Sequence, residues 1–424
     1  MRKLIQKILK TFAKSVLKKY QPDIIGVTGS VGKTSTKEAI YAVLSSNFNV
    51  RRNIKNYNNE IGLPLSIIGA NSGGRSPLSW LGVFIKAIGL IIVKNPNYPK
   101  ILILEMAVDH PGDMKYLTEL APCKIGVVTN VSTVHLEHFK SIEKIAKEKA
   151  VLLSHLDKNG WGVLNADNEY VAGMDKYVKG RIMTYGFDQG ADVTAQEVNI
   201  SQGNEGDTRG LSFKLSYEGS TVPILLPHIL GEHLIYSALA ASAIGLIYKM
   251  NLVDIAQNLM HFSAPKGRMN IVNGIKGTII IDDSYNASPE SMIGAINALG
   301  KIKTKHEKYV VLGDMLELGE FTEEGHKKVA KALAMSEVDY LITVGERARI
   351  IAGEAIRLKM PKDKVFSFSK NLEAGKFVQK RIRQGDYILI KGSQGARMEK
   401  VVKEIMAEPL RAKELLVRQE KPWI

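Results

Sequence analysis

Residues 24–38 read Ile24-Ile25-Gly26-Val27-Thr28-Gly29-Ser30-Val31-Gly32-Lys33-Thr34-Ser35-Thr36-Lys37-Glu38. An apolar strand runs into a glycine-rich turn, then Lys-Thr, then a helix-forming segment. Glycines let backbone N–H groups close around a triphosphate, and the start of a helix adds its partial positive charge. In such a loop Lys33 reaches the β- and γ-phosphates and the Thr34 hydroxyl ligates Mg²⁺. The strict spacing of this motif places glycine at position 27, where the chain has Val27. The shorter Thr28-Gly29-x-x-Gly32-Lys33-Thr34 form is intact.

At 424 residues the chain exceeds the usual size of one domain, so two or three are expected. Hydrophobic residues make up 45% and charged residues 24%, an ordinary globular balance able to bury a sizeable core. The single cysteine, Cys123, rules out a disulfide framework and a cysteine-based zinc site, and suits a reducing, cytoplasmic setting. Residues 1–20 alternate lysine with apolar residues and lack the continuous apolar core of a signal peptide. Net charge is +15, which suits nucleic acid, a membrane surface or an anionic substrate. With no nucleic-acid module and no interleaving of aromatic and basic residues, no nucleic-acid partner is expected.

Residues 1–20 form a basic amphipathic helix, with Leu4, Ile5, Ile8, Leu9, Phe12, Val16 and Leu17 at helical spacing. Two readings fit it: a helix docked on the domain that follows, or a peripheral membrane contact at the inner face. From residue 23, β-rich runs at 24–27, 101–104 and 125–128 alternate with helical segments and predict a largely parallel sheet. The apolar stretch 80–93 is too short for a confident membrane span and reads as a buried or interfacial helix. Residues 190–225 read as a β-rich meander at the domain edge, and 230–249 as an alanine-rich helix. Pro265-Lys266-Gly267 is a plausible hinge. A second α/β pattern follows, with strands at 278–281, 309–312, 340–344 and 387–390.

Several strand ends carry polar groups, where open α/β sheets bind ligands. Glu105 ends one strand and is placed for a nucleotide-bound metal; a helix-capping role is the plain alternative. His135 lies just past the strand 125–128. Lys149 lies on the next helix, flanked by Glu148 and Ala150, and reads most plainly as a solvated surface lysine. In the second half, Asp282-Asp283-Ser284-Tyr285-Asn286-Ala287-Ser288-Pro289 makes a good helix start, or a grip on a ribose or an amine. Loops 313–319 and 391–395 also follow strands. Three polar loops at strand ends of one domain suggest a substrate face.

Taken together, these motifs resemble the Mur ligase family. Residues 28–34 resemble its ATP loop, and Asn58-Asn59-Glu60-Ile61-Gly62-Leu63-Pro64 its Asn-Asn-x-Ile-Gly-x-Pro segment. Residues 282–289, 313–319 with His326, and Lys391-Gly392-Ser393 resemble its C-terminal motifs, in the form found in the member that adds D-alanyl-D-alanine to a UDP-muramoyl tripeptide. The resemblance implies an α/β fold: a central P-loop ATPase domain with a mostly parallel sheet (23–264), preceded by the helix 1–22. A C-terminal Rossmann-like, doubly wound α/β domain (265–424) completes it. It implies an ATP-dependent ligase, cytoplasmic and monomeric, with ATP and Mg²⁺ as cofactors and a UDP-linked muramoyl peptide and D-alanyl-D-alanine as partners.

Carried over residue by residue, the resemblance assigns Thr28, Gly29, Ser30, Val31, Gly32, Lys33, Thr34 and Ser35 to ATP. It assigns Thr34, Glu105 and His135 to Mg²⁺. Lys149 matches a lysine often carbamylated in the family, Arg268 one that reaches the phosphates on domain closure, and Asp283 a position near the ribose. Asn58, Asn59, Asn286, Ser288 and Lys391 fall to the substrates, and Lys33, Lys149, His135 and Arg268 to catalysis. Three departures stand out. Residues 1–22 alone precede the ATP domain, so the family's UDP-sugar domain is expected to be lacking. The helix start Gly-x-His-Asn-x-x-Asn reads here with Leu234 and Ser237 for its asparagines. Residues 76–97 look inserted. A Mur-type ligase for another acceptor, or a nucleotide-binding scaffold without turnover, shares most of these motifs.

Overall fold

The structure is a computed structural model that describes residues 2–53, 57–132, 139–203 and 208–420. Contacts divide it into two compact units, one of residues 1–198, 212–226 and 233–262, the other of 199–211, 227–232 and 263–424.

A nine-stranded sheet carries the first unit, in the order β2-β3-β1-β4-β5-β6-β7-β8-β9. Its strands are β1 (Asp23–Thr28), β2 (Val50–Arg52), β3 (Ile101–Glu105), β4 (Ile125–Val128), β5 (Trp161–Asn165), β6 (Arg181–Gly186), β7 (Val193–Gln202), β8 (Thr208–Tyr217) and β9 (Ser220–Pro227). Strands β2 to β6 are parallel throughout, and β7 joins β6 in parallel. Buried on both faces, they need apolar residues at nearly every position, and β3 and β4 are buried along their whole lengths. The edge meander expected from 190–225 is β7-β8-β9. The chain enters at β1, in the middle, and strands to either side of it run to opposite edges. Such a reversal leaves a crevice at the carboxyl ends of the strands.

Helix α1 (Arg2–Tyr20) is docked on protein. Leu9, Ala13 and Val16 are fully buried, in one core with residues of α3 (Gly62–Ile68) and α4 (Pro77–Ile92). Phe12 meets Phe84 with ring centroids 5.9 Å apart. Lys19 Nζ donates to the Leu90 and Ile91 carbonyls at 3.1 and 2.8 Å, and Tyr20 Oη to those of Leu90 and Val93, both at 3.1 Å. Of the two sequence readings, the structure shows the docked helix: Leu9, Ala13 and Val16 carry the apolar stripe of α1 into the unit, while Leu4 in its first turn stays exposed. Helix α4 begins where its sequence says it should, with Ser76 accepting from Ser79 N and Pro77 in the first turn.

In the second unit, strands β10 (Asn270–Asn273), β11 (Ile279–Asp283), β12 (Lys308–Gly313), β13 (Tyr340–Val344), β14 (Val365–Phe368) and β15 (Tyr387–Lys391) lie in the order β10-β11-β15-β12-β13-β14. All pairs are parallel except β10 with β11. Successive side chains of a strand point to opposite faces, and the two cores divide accordingly. Ile281, Val310, Leu341 and Leu389 join one, and Ile280, Val311, Ile342 and Ile388 the other. This is the doubly wound pattern expected.

Leu9→Ala is expected to lower stability by about 2–5 kcal/mol, the cost of an apolar cavity in a closed core. Urea denaturation measures it, and the exposed Lys14→Ala should leave the midpoint unmoved.

Candidate active site

The loop after β1 is set by two glycines. Gly32 has φ +85° and opens α2 (Lys33–Leu44) with no side-chain cap, so the first N–H groups of the helix stay available to an anion. Gly29 has φ +151°, and a methyl group there would lie 2.0 Å from Thr129 Oγ1 and 3.1 Å from Asn130 N. The loop is laced to the segment after β4. Ser30 N donates to Asn130 O at 2.7 Å, Ser132 N to Ser30 Oγ at 3.0 Å, and Thr129 Oγ1 to Val31 O at 2.6 Å. Thr28 Oγ1 donates to Met106 O, at the end of β3. Lys33 Nζ folds over the loop and donates to Gly29 O at 2.7 Å and Ser30 O at 3.1 Å. This is a cradle of backbone donors with an ammonium at its mouth. Ser35 is buried on the helix behind it.

Register places the carboxylate beside the cradle. Val27 pairs with Glu105 across β1 and β3, and Glu105 is only 3% exposed. Its Oε1 accepts from Thr34 Oγ1 and Asn58 Nδ2, both at 3.2 Å. Its Oε2 lies 3.7 Å from Lys37 Nζ, and its backbone N–H donates to Asn53 Oδ1 at 3.0 Å. Thr34 and Glu105 present the hard oxygen atoms that suit Mg²⁺, which takes few protein ligands and completes its shell with water and phosphate. Among the described residues no group of three or more His, Cys, Asp and Glu gathers for a metal. His135 lies outside the described residues. Asn59 Oδ1 accepts from Ile61 and Gly62 N–H at the start of α3.

Lys149 corrects the reading of a solvated surface lysine. It lies on α6 (Ile142–Ser154), where it is 2% exposed. Burial, with Lys33 nearby, pulls its ammonium down to about 7 against the pull of Asp109 and Glu148. Its neighbour Glu148 accepts from Gly112 N and Met114 N at the start of α5 (Asp113–Leu120), which fixes α6 against that helix. Leu234 and Ser237, the replacements for the family's asparagines, are both buried on α7 (His233–Ile247). Thr36 Oγ1 donates to Ser237 Oγ at 3.2 Å, so that hydroxyl braces the loop helix.

In the second unit the three polar loops do converge. Strands β11 and β15 bring Asp283 opposite Lys391, where they form a buried ion pair of 2.6 Å. Lys391 Nζ also donates to Asn286 O at 2.9 Å. Gln394 N donates to Asn286 Oδ1 at 3.3 Å, Leu316 N to Ser393 Oγ at 2.8 Å, and Ser393 N to Asp314 O at 3.0 Å. Ser288 caps α8 (Pro289–Gly300) in a reciprocal capping box with Ser291. His326 Nε2 accepts from Met315 N, which braces the 313–319 loop from behind, and burial lowers its pKa. Burial, with Asp283 and Glu399 close, pushes the Asp282 carboxyl up to about 6. Arg268 stacks over Tyr285 at 4.3 Å, and its buried Nε has no hydrogen-bond partner.

Sequence reasoning missed Lys37, Asn53 and Arg418. Lys37 donates to Asn53 O at 2.9 Å as well as facing Glu105. Arg418 donates to Ser284 O and to Glu399 Oε2. Nothing local marks any of the three; only tertiary partners do.

Residues 27–75 and 89–245 match the Mur ligase middle domain, and residues 267–394 the Mur ligase glutamate ligase domain. The UDP-N-acetylmuramoyl-tripeptide–D-alanyl-D-alanine ligase of Bacillus subtilis is 30% identical over 402 residues, 95% of this chain and 80% of that one. The ligase of the same name from Escherichia coli is 29% identical over 390 residues, 90% of this chain and 76% of its own. The MurF ligase of Thermotoga maritima, solved in complex with ADP, superposes with a TM-score of 0.75 at 26% identity, over 96% of this chain and 84% of its own.

Gly29→Ala is expected to weaken ATP binding at least about tenfold, because the methyl must push Thr129 and the cradle apart. Titration calorimetry measures it, and an unchanged affinity would detach the nucleotide from this loop.

Proposed function

The chain belongs to the Mur ligase family, and we propose that it joins D-alanyl-D-alanine to a UDP-N-acetylmuramoyl-tripeptide, with cleavage of ATP, in the synthesis of peptidoglycan precursors. The observation that carries this reading is the buried Glu105 carboxylate 3.2 Å from Thr34 Oγ1 at the mouth of a glycine cradle, in a chain that parallels ligases of that name over both domains. We assign residues 23–264 to ATP and residues 265–424 to the amine substrate, and we place the reaction in the cytoplasm and on a monomer.

Amide formation from a free carboxylate is uphill in water, so the acid is first activated. Its oxygen attacks the γ-phosphate, ADP leaves, and an acyl phosphate results. The dipeptide amine then attacks the carbonyl carbon, loses a proton, and phosphate departs. In this proposal Lys33 leaves the loop carbonyls it now caps and meets the transferring phosphoryl group. Mg²⁺, when bound, neutralises charge on the phosphates, with Thr34, Glu105 and His135 as its ligands. Asn58 orients Glu105. On the family resemblance we assign the unpartnered Nε–H of Arg268 to a phosphate, the Asp283 carboxylate as acceptor from a ribose hydroxyl, and the loop held by Lys391, with Asn286 and Ser288, to the amine. Positioning accounts for much of the rate, because three substrates must meet in line.

ATP hydrolysis is expected only when the UDP-muramoyl tripeptide and D-alanyl-D-alanine are both present; a folded protein that ignores the pair would end this reading. Lys33→Ala should lower turnover about a thousandfold or more.

We further propose that Lys149 is carbamylated. Carbon dioxide reacts with the neutral amine, and with the ammonium brought down to about 7, the neutral fraction is small at pH 6 and dominant at pH 8. With ¹³C-labelled bicarbonate, a carbamate carbon resonance should grow as pH rises across that window and be missing from Lys149→Ala. A resonance that persists in the variant would assign it elsewhere.

A further inference from the structure

Helix α4 is apolar on two sides, and only one of them is covered. Val83, Ala87 and Leu90 are buried in the unit. On the opposite side Leu78, Leu81, Ile85, Ile88 and Ile92 are between 42% and 80% exposed. Their spacing of three and four residues lines them up as one stripe. Gly82 and Gly89 lie along it with nothing within 4 Å of where a side chain would start. Single exposed leucines are ordinary on a protein surface, but a continuous stripe of five marks a contact.

The surroundings of the stripe select the partner. Lys86 is the only charged residue on α4, and Arg75 and Lys94 flank its ends. Helix α1, packed alongside, has seven basic residues and no acidic one, and its Lys7, Lys14 and Lys18 are exposed. An apolar stripe edged by cations is the pattern of a helix that lies in the headgroup region of an anionic bilayer. Two copies of this chain meeting through the stripe would bring like charges together. No described helix is long and apolar enough to cross a membrane, so the contact is peripheral.

We propose that the outer face of α4, with the exposed lysines of the helix α1 packed against it, seats the protein on an anionic lipid surface. The contact differs from the one the sequence suggested: the lipid-facing residues belong to α4, and α1 contributes charge. It uses no residue assigned to ligase chemistry, so either reading can fail alone.

Flotation of the full chain with phosphatidylglycerol–phosphatidylethanolamine vesicles tests it. At low salt the chain should float with these vesicles and at least about tenfold less with phosphatidylcholine vesicles or in high salt. Ile85→Glu with Ile88→Glu should lower partitioning about tenfold or more, while thermal midpoint and ATP turnover stay at their parent values. Lys7→Glu, Lys14→Glu and Lys18→Glu combined should weaken binding and flatten its salt dependence. The proposal is overturned if the parent chain stays with the soluble fraction at low salt, or if the α4 double variant floats like the parent. It is equally overturned if sedimentation equilibrium finds a dimer that the double variant abolishes, since the stripe would then join two copies.

Discussion

A carboxylate withdrawn from water organises the first unit. Charge of that kind costs several kcal/mol to bury unless it is paired and hydrogen-bonded. Glu105 meets the requirement with groups from three separate stretches: Thr34 and Lys37 from the loop helix, Asn58 from the segment before α3, and Asn53 at its backbone. Each donor is thereby tied to the end of β3, and β3 is tied to β1 by the register that sets Val27 against Glu105. The cradle and the carboxylate are therefore one construction. The loop cannot shift along β1 without leaving Glu105 short of donors, and Glu105 cannot turn away without freeing Asn58 and the start of α2.

The second unit uses the same physics with the signs distributed differently. Register again sets the partners, with Asp283 facing Lys391 across β11 and β15. The pair lies buried at 2.6 Å, and its lysine also reaches the Asn286 carbonyl, so one cation fixes two loops. Asp282, one residue earlier, points to the other side of the strand, and among the described residues no cation pairs with it; burial pushes its carboxyl up to about 6, and one of its oxygens has no hydrogen-bond partner. Arg418 and Arg397 neutralise the fully buried Glu399 behind it. Arg418 also donates to the Ser284 carbonyl, so the end of the chain helps to hold the turn that follows β11.

The parts of this arrangement legible in the sequence are those whose cause is local. The phosphate loop, the apolar strands β1, β3, β4 and β13, and the helix now seen at 77–92 follow from glycine placement and periodicity. Strands β2, β5 and β6 went unread because they are short or mix polar and glycine residues with apolar ones, and only their parallel neighbours make them strands. Lys37 and Lys149 look alike in sequence, each a lysine beside a glutamate on a helix, and solvent is the natural expectation for both. Tertiary packing decides otherwise: one meets Glu105, the other is enclosed with its ammonium destabilised. The capping role of Ser288 was visible as a helix start, whereas the cross-linking of the three loops depended on strand order, which the sequence does not state.

Helices α1 and α4 show why an amphipathic pattern alone cannot name its partner. The stripe of α1 suits lipid and protein equally, since both take apolar side chains with lysines at the margin. What settles it is the inventory of faces. Helix α3 and one side of α4 offer apolar surface, and α1 covers it with Leu9, Ala13 and Val16. Its last turn is bolted to α4 by Lys19 and Tyr20. Having one apolar stripe, α1 is held by one contact and turns Lys7, Lys14 and Lys18 outward. Helix α4 has two and is satisfied by none of the described residues on its second side. The positive charge and the unsatisfied apolar surface thus belong to two different helices that pack together, a combination no single segment of the sequence displays.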